Sequence, residues 1–472
     1  MRVLHVGWGF SPWRGGGLIE YAEDLMEIQS KRGFEVYYFC SGRHYPLFNK
    51  VKLIKRNKNK INIFEVLNSP IYHGGNLGSS QPDLDIAEPH IEILFREVLD
   101  EVSPDIIHIQ ELAGLPSSLI GIAKDEYKIP VIMSLHNYFL LCPSVELLDR
   151  QQRLCSLEKL DYECPICCKN SPKDNRALVI NTITSSFYKY NIFQSHYLTF
   201  TRKLMKRIIK TVFSSNKQTT IQIRKNKDYL KRRKENIASL NKVNLLIAHS
   251  YKVEDIYRNF LKYNNILTLH STVSHLTLIT PKKMRNISYP VSFGTLNGFS
   301  SVQKGALVLK KAIDILNDKG LEDCFHFHIW GWMDSDFENV VELNNVTYHG
   351  AYQLEKLNDN LELLDVGIVP SIWEEVYGYV GLEFLAKGIP VIGNKKGGIV
   401  DYTQDDLTGW VNNSSSPEEL ANIMEFILKN PYSIQNLNEK IIKNRSNLIK
   451  PMNEHFEEIG DIYDSLIKAS KS

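Results

Sequence analysis

Residues 2–9, RVLHVGWG, are a short apolar run; Gly15-Gly16-Gly17 then opens the periodic segment LIEYAEDLMEIQSKRG (18–33), and residues 35–40, EVYYFC, are apolar again. A strand, a glycine loop, a helix and a second strand in that order make a β-α-β unit, which requires a parallel pair of strands. The alternation continues with a helix near 86–102, a strand at 105–109, a helix near 117–127 and a strand at 131–136. This is the rhythm of a doubly wound α/β domain. It breaks between about 142 and 242 and returns with LLIAHS at 245–250. A second series starts near 291, with strands at 326–330, 346–349, 366–369 and 391–393. The expected organisation is an α/β protein of two Rossmann-like domains, 1–272 (carrying an insertion, 142–242) and 289–450. A final helix follows at 451–472, and crossing back to the first domain is one destination for it.

The length agrees, because 472 residues exceed the roughly 250–300 that one core can serve. At 43% hydrophobic and 23% charged residues the composition is that of a globular protein. No stretch approaches the ~20 apolar residues of a membrane span, and the N-terminus lacks the pattern of a signal peptide, so a cytoplasmic protein is expected. Charge is unevenly divided. Residues 169–242 hold 18 Lys and Arg against Asp174, Asp228 and Glu235, a local +15 in a chain of net +2, which leaves −13 for the remainder. A basic segment in an acidic protein suits an anionic partner.

Three elements of the second domain carry chemistry. In the first, PSIWEEVYGYVGLE (370–383), a strand ends in a glycine-bearing loop and a helix starts near Gly378. Free amides at such a start favour a phosphate or a sugar hydroxyl. Glu375 and Glu383, eight positions apart, sit at the loop and two turns into the helix, where a nucleotide lying along the helix would meet both. A pair of solvated glutamates is the plain alternative. The second element places Lys304 and Gly305 between a strand and a helix, a plausible diphosphate clamp. The third, Gly397-Gly398 followed by Asp401, reads alone as turn punctuation.

Together with the N-terminal glycine loop, the order of these motifs resembles glycosyltransferase family 4, retaining nucleotide-sugar enzymes of GT-B fold, in which two Rossmann-like domains face a cleft. The resemblance covers residues 1–140 and 245–411. It implies that Lys304 meets the donor diphosphate, Glu383 the ribose hydroxyls and Glu375 the donor sugar, with the amides around Tyr377, Gly378, Tyr379 and Val380 close to sugar and phosphate. Gly16 and Gly17 resemble the loop that closes over the diphosphate, and His136 the histidine near donor sugar and acceptor. Catalysis is thus expected of Glu375, Lys304 and His136, without a required cofactor, in a hexosyl transfer to a glycan or lipid-linked acceptor during assembly of a surface polysaccharide such as capsule or lipopolysaccharide. Two departures stand out: Phe299 occupies a position where many relatives have arginine, leaving Arg14 as a candidate second cation, and Leu135-His136-Asn137 replaces LHD. Competing readings are an epimerase or phosphorylase on the same fold, and a non-catalytic module that binds nucleotide sugar or nucleic acid.

The insertion adds two expectations. Cys142, Cys155, Cys164 and Cys167, spaced C-x12-C-x8-C-x2-C, suit a structural tetrahedral zinc site, with reduced buried thiols as the alternative. On a helix over 202–212, Leu204, Met205, Ile208 and Ile209 share one face and Lys203, Lys206, Arg207 and Lys210 much of the other. Such a helix either lies on an anionic membrane, giving a peripheral location on the inner face of the plasma membrane, or packs its apolar face on the protein. The aromatic residues Phe187 to Phe200 precede the charge run instead of interleaving with it, so no nucleic-acid partner is expected.

Overall fold

The computed structural model describes residues 1–471 except 46–49, 73–76, 150, 152, 156–159, 172–174, 190–225, 262–264, 285–286 and 300–301. The proposed membrane helix at 202–212 lies outside the described residues. Among these, no helix is long and apolar enough to cross a membrane.

Strands β1 (Arg2–Gly7), β2 (Glu35–Ser41), β3 (Lys52–Lys58), β4 (Ile61–Leu67), β5 (Ile106–Ile109), β6 (Val131–Leu135), β7 (Leu245–Ala248) and β8 (Ile266–Thr268) form one sheet, ordered β3-β4-β2-β1-β5-β6-β7-β8. Its strands are parallel except for the β3-β4 hairpin at the edge. Strands β9 (Val291–Thr295), β10 (Phe325–Trp330), β11 (Val346–Gly350), β12 (Val366–Val369), β13 (Val391–Asn394) and β14 (Gly409–Asn412) form a second, wholly parallel sheet, ordered β11-β10-β9-β12-β13-β14. Apolar runs such as Ile106–Ile109 and Val366–Val369 are buried at every position, as central strands of covered parallel sheets must be. The hairpin has no such signature: Lys52–Lys58 is rich in charge and nowhere fully buried, a composition that protects a sheet edge.

The insertion is partly core. In the helix Asn226–Leu240, Arg232 is fully buried, its Nε 2.6 Å from Asp85 Oδ2 and its guanidinium donating to the Phe139 carbonyl. Part of the local positive charge is therefore neutralised inside the first domain.

The last helix, Met452–Lys471, packs on the first helix, Gly17–Lys31, and enters a buried polar chain. Tyr463 accepts from Gln29 at 3.1 Å and donates to His108 Nδ1 at 2.7 Å, while His455 pairs with the Tyr21 hydroxyl at 2.8 Å. Burial pushes His108 well below the usual histidine range, and neighbouring histidines add to the shift, so it accepts as a neutral ring. Tyr463→Phe would take from Gln29 Nε2 its acceptor and from His108 Nδ1 its donor. The variant should lose about 1–3 kcal/mol of stability in urea unfolding, and a midpoint unchanged from wild type would contradict this role.

Candidate functional site

A cavity of about 590 Å³ opens between the domains, and Gly16, Gly17, His136, Lys304, Glu375, Tyr377, Gly378, Tyr379, Val380 and Glu383 all line it. The structure thus brings every expected nucleotide-sugar residue to one place.

Two helices begin at this cavity from opposite sides. The first, Gly17–Lys31, starts at Gly16 (φ 101°), and Tyr379–Lys387 starts at Gly378 (φ 80°); neither start has a side-chain cap. Their first N–H groups and positive dipole ends are therefore available to one anionic ligand. The two starts also touch: a Cβ at Gly17 would come within 2.7 Å of the Tyr379 ring, so glycine is what allows the approach.

Among the described residues Lys304 is the one lysine or arginine that lines the cavity, and its Nζ lies 2.6 Å from Glu375 Oε1. The other Glu375 oxygen accepts from Trp373 Nε1, also at 2.6 Å. Gly305, at φ 83°, lets the Lys304 turn sit against the end of β12, since a Cβ there would stand 1.8 Å from the Pro370 carbonyl oxygen. Gly397-Gly398 is more than turn punctuation. The Gly397 amide donates to Glu374 Oε2 and the Gly398 amide to the Glu375 carbonyl, each at 2.7 Å, so this pair props the glutamate loop from beneath. Glu146, from the first domain, takes a hydrogen bond from the Gln303 side chain and faces Lys304. Burial pushes its carboxyl up to about 7 despite the lysine.

Glu383 accepts from His275 Nε2 at 2.9 Å through Oε1, while its Oε2 is buried without a partner. An unpartnered buried carboxylate oxygen on a cavity wall fits a hydroxyl-bearing ligand. His136 donates from Nε2 to Gln110 Oε1 at 2.9 Å. Burial, reinforced by His249 and His455, holds its pKa well below the usual range, so the ring is neutral and Nδ1 is an acceptor. His249, whose ring lies 4.6 Å from that of His136, also lines the cavity, and its Nε2 is buried without a partner. Burial pulls this second histidine down to about 3.

Other residues singled out in the sequence do not line the cavity. Phe299 does not face the cavity in the manner of a lost arginine; it is fully buried against Phe337, with ring centroids 5.6 Å apart. Arg14 is not among the lining residues. Asn137 bonds Glu111 and accepts from the Phe139 amide, so it holds the loop after β6. Cys142, Cys155 and Cys164 are buried and Cys167 is half-buried. Among the described residues no group of three or more His, Cys, Asp or Glu side chains is arranged to hold a metal ion.

Sequence reasoning gave no role to His249, Glu146, Glu20 or His275. His249 had one available signal, its place at the carboxyl end of a parallel strand, where ligands collect in α/β sheets. The other three meet the site only through tertiary packing.

His275 lies between Glu20 Oε1, at 2.5 Å, and Glu383 Oε1. Burial alone would lower its pKa, but the two carboxylates outweigh this and raise it to about 10. The bridge should contribute fully below the unfolded value of 6.5 and be lost as pH rises through about 10. Wild-type stability in urea should accordingly fall between these limits, with a flatter profile in His275→Gln; parallel profiles would remove the bridge from the account.

Residues 291–430, which span the second sheet and its helices, match the family model described as Glycosyl transferases group 1. A stretch of 101 residues is 31% identical to an uncharacterized 41.2 kDa protein in the cps region of Klebsiella pneumoniae; it covers 21% of this chain and 28% of that protein. Among solved structures, sucrose-phosphate synthase from Thermosynechococcus elongatus aligns over 99% of this chain and 100% of its own, with TM-score 0.66 and 15% identity. Anabaena HepE, in complex with UDP and glucose, aligns over 98% and 100%, with TM-score 0.58 and 13% identity. At these identities the likeness is one of architecture: the chain has the two-domain GT-B fold of glycosyltransferases, and its second domain carries the glycosyltransferase group 1 match.

Proposed function

We propose that this chain is a retaining glycosyltransferase that moves a hexosyl group from a nucleoside diphosphate sugar to a glycan or lipid-linked acceptor in cell-surface polysaccharide assembly. One observation carries the reading: two uncapped helix starts and Lys304 converge on one interdomain cavity whose far wall holds the unpartnered oxygen of Glu383. A diphosphate suits the first three and a ribose hydroxyl the fourth. The architecture shared with HepE, solved with UDP and glucose, supports a nucleotide-sugar donor. The stretch similar to a protein of a cps region supports the polysaccharide setting.

In the ligand-free site Lys304 and Glu375 satisfy each other. An incoming diphosphate takes Lys304, and Glu375 is freed to accept from the donor sugar's hydroxyls. The bond from the anomeric carbon to the phosphate oxygen then breaks while Lys304 and the helix amides stabilise the departing charge. The acceptor oxygen bonds to the same face of that carbon, and its proton passes to the leaving phosphate. Neutral His136 offers Nδ1 to a sugar or acceptor hydroxyl.

The test is a binding and transfer screen with UDP-, GDP- and ADP-sugars. One donor should bind and be slowly hydrolysed with retained configuration, as followed by NMR. Lys304→Ala should cut kcat about 10²–10³-fold, the scale of losing a charge-stabilising group. Glu375→Ala should abolish transfer, whereas Glu383→Ala should mainly raise the donor KM, about tenfold for one lost charged hydrogen bond. Donor binding without turnover, indifferent to Glu375, would instead favour a non-catalytic nucleotide-sugar module.

A further inference from the structure

Arg14 precedes the glycine loop at the carboxyl end of β1, beside the cavity but outside its lining. Its guanidinium lies between two indoles, 4.2 Å from the ring centroids of both Trp8 and Trp13. Cation–π contact holds the group in place but gives its N–H donors no acceptor. Among the described residues the side chain makes no ion pair or hydrogen bond, and Nε is buried without a partner. The contrast with Arg43 is plain, since that neighbour forks onto Glu65 with Nε and NH2 at 2.7 and 2.6 Å. Burial with no carboxylate nearby pulls Arg14 down to about 9, so it still carries its charge at neutral pH.

Two further orphans accompany it. Trp13 Nε1 is buried without an acceptor, and His44, bonded through Nε2 to the Ser69 carbonyl at 3.0 Å, leaves Nδ1 without a partner. His44 lies close enough for the Arg14 charge to depress its pKa further, after burial. The indole N–H and the guanidinium are donors, and a half-buried cation with spare donors suits an oxyanion. The site is built, not incidental. Gly9, at φ 131°, makes room for it, because a Cβ there would stand 2.5 Å from Trp13 and 2.9 Å from Arg14. Tyr38 fixes Gly9 by bonding both its amide and its carbonyl. The Trp13 carbonyl is held in turn by Asn181 of the insertion, at 3.0 Å.

We propose that Arg14, Trp13 and His44 form an acceptor subsite for an oxyanion, the carboxylate of an acidic sugar or the phosphate of a polyol phosphate. This rests on the glycosyltransferase reading and adds the chemical class of the acceptor. The subsite lies on the first domain, and Arg14 stands two residues before Gly16 of the cavity lining, on the side of the donor cavity from which an acceptor would approach in this proposal. His44 Nδ1 complements a hydroxyl beside the anion.

The test follows the indole N–H resonances of Trp8 and Trp13 during titration of the full chain with three probes: methyl β-D-glucuronide, glycerol 1-phosphate and neutral methyl β-D-glucoside. At least one anionic probe should shift both resonances, the glucoside should shift neither, and the responding anion names the group. Arg14→Gln should weaken that response at least tenfold while leaving UDP binding as in wild type, which also shows that the variant is folded. Trp13→Phe, read at Trp8, should weaken it severalfold. An equal response to the glucoside, no response to any probe, or an anion response that survives Arg14→Gln would each overturn the subsite. Because UDP is measured in the same samples, loss of the donor reading would show as absent UDP binding with the anion response intact.

Discussion

Buried polar atoms must find partners, and in this chain that rule ties the last helix to the cleft. From His136 the hydrogen bonds run through Gln110 to His5, from His5 to Gln29, from Gln29 to Tyr463 and on through His108 to Ser134. His5, His108 and Tyr463 are fully buried, and burial keeps His5 down at about 4. Neutral rings donate at one nitrogen and accept at the other, so the direction of each bond fixes the next. The tautomer of a cleft histidine is in this way set by a tyrosine more than 300 residues further along the chain. The first domain, the last helix and the orientation of His136 are one arrangement.

The second domain is organised around a different demand, that of holding a glutamate loop at the end of β12. Gly305 packs on one side of it and Gly397 on the other, and at both positions a side chain would collide with backbone. Main chain grips the loop on both sides, which preorganises Glu375. Cross-domain contacts then close the cleft around it. The Tyr138 hydroxyl donates to the Glu374 carbonyl, Tyr379 to Ser271, and His270 stacks on Tyr377 while bonding Asp401.

The parallel core was legible in sequence because covered parallel strands leave an uninterrupted apolar run, and the observed strands begin and end close to those runs. The β3-β4 hairpin was not, since an edge strand full of lysine carries no such signal. Within the site, Lys304, Glu375, Gly378 and Glu383 were legible because each belongs to a local strand-loop-helix pattern. Glu146, Glu20 and His275 were not, because nothing in their own segments states what will be folded against them. Phe299, at the position where many relatives carry arginine, completes a core cluster with Phe337, a packing role that its own segment does not state.

The Lys304–Glu375 pair also bears on what the empty cleft ignores. A lone phosphate ion that captured Lys304 would strand the Glu375 carboxylate beside the newly bound negative charge, and so would gain little. A nucleotide sugar supplies an anion for the lysine and hydroxyls for the glutamate in the same molecule. On the proposed function the ion pair would therefore act as a filter, favouring a ligand that brings both an anion and hydroxyls over a lone inorganic anion.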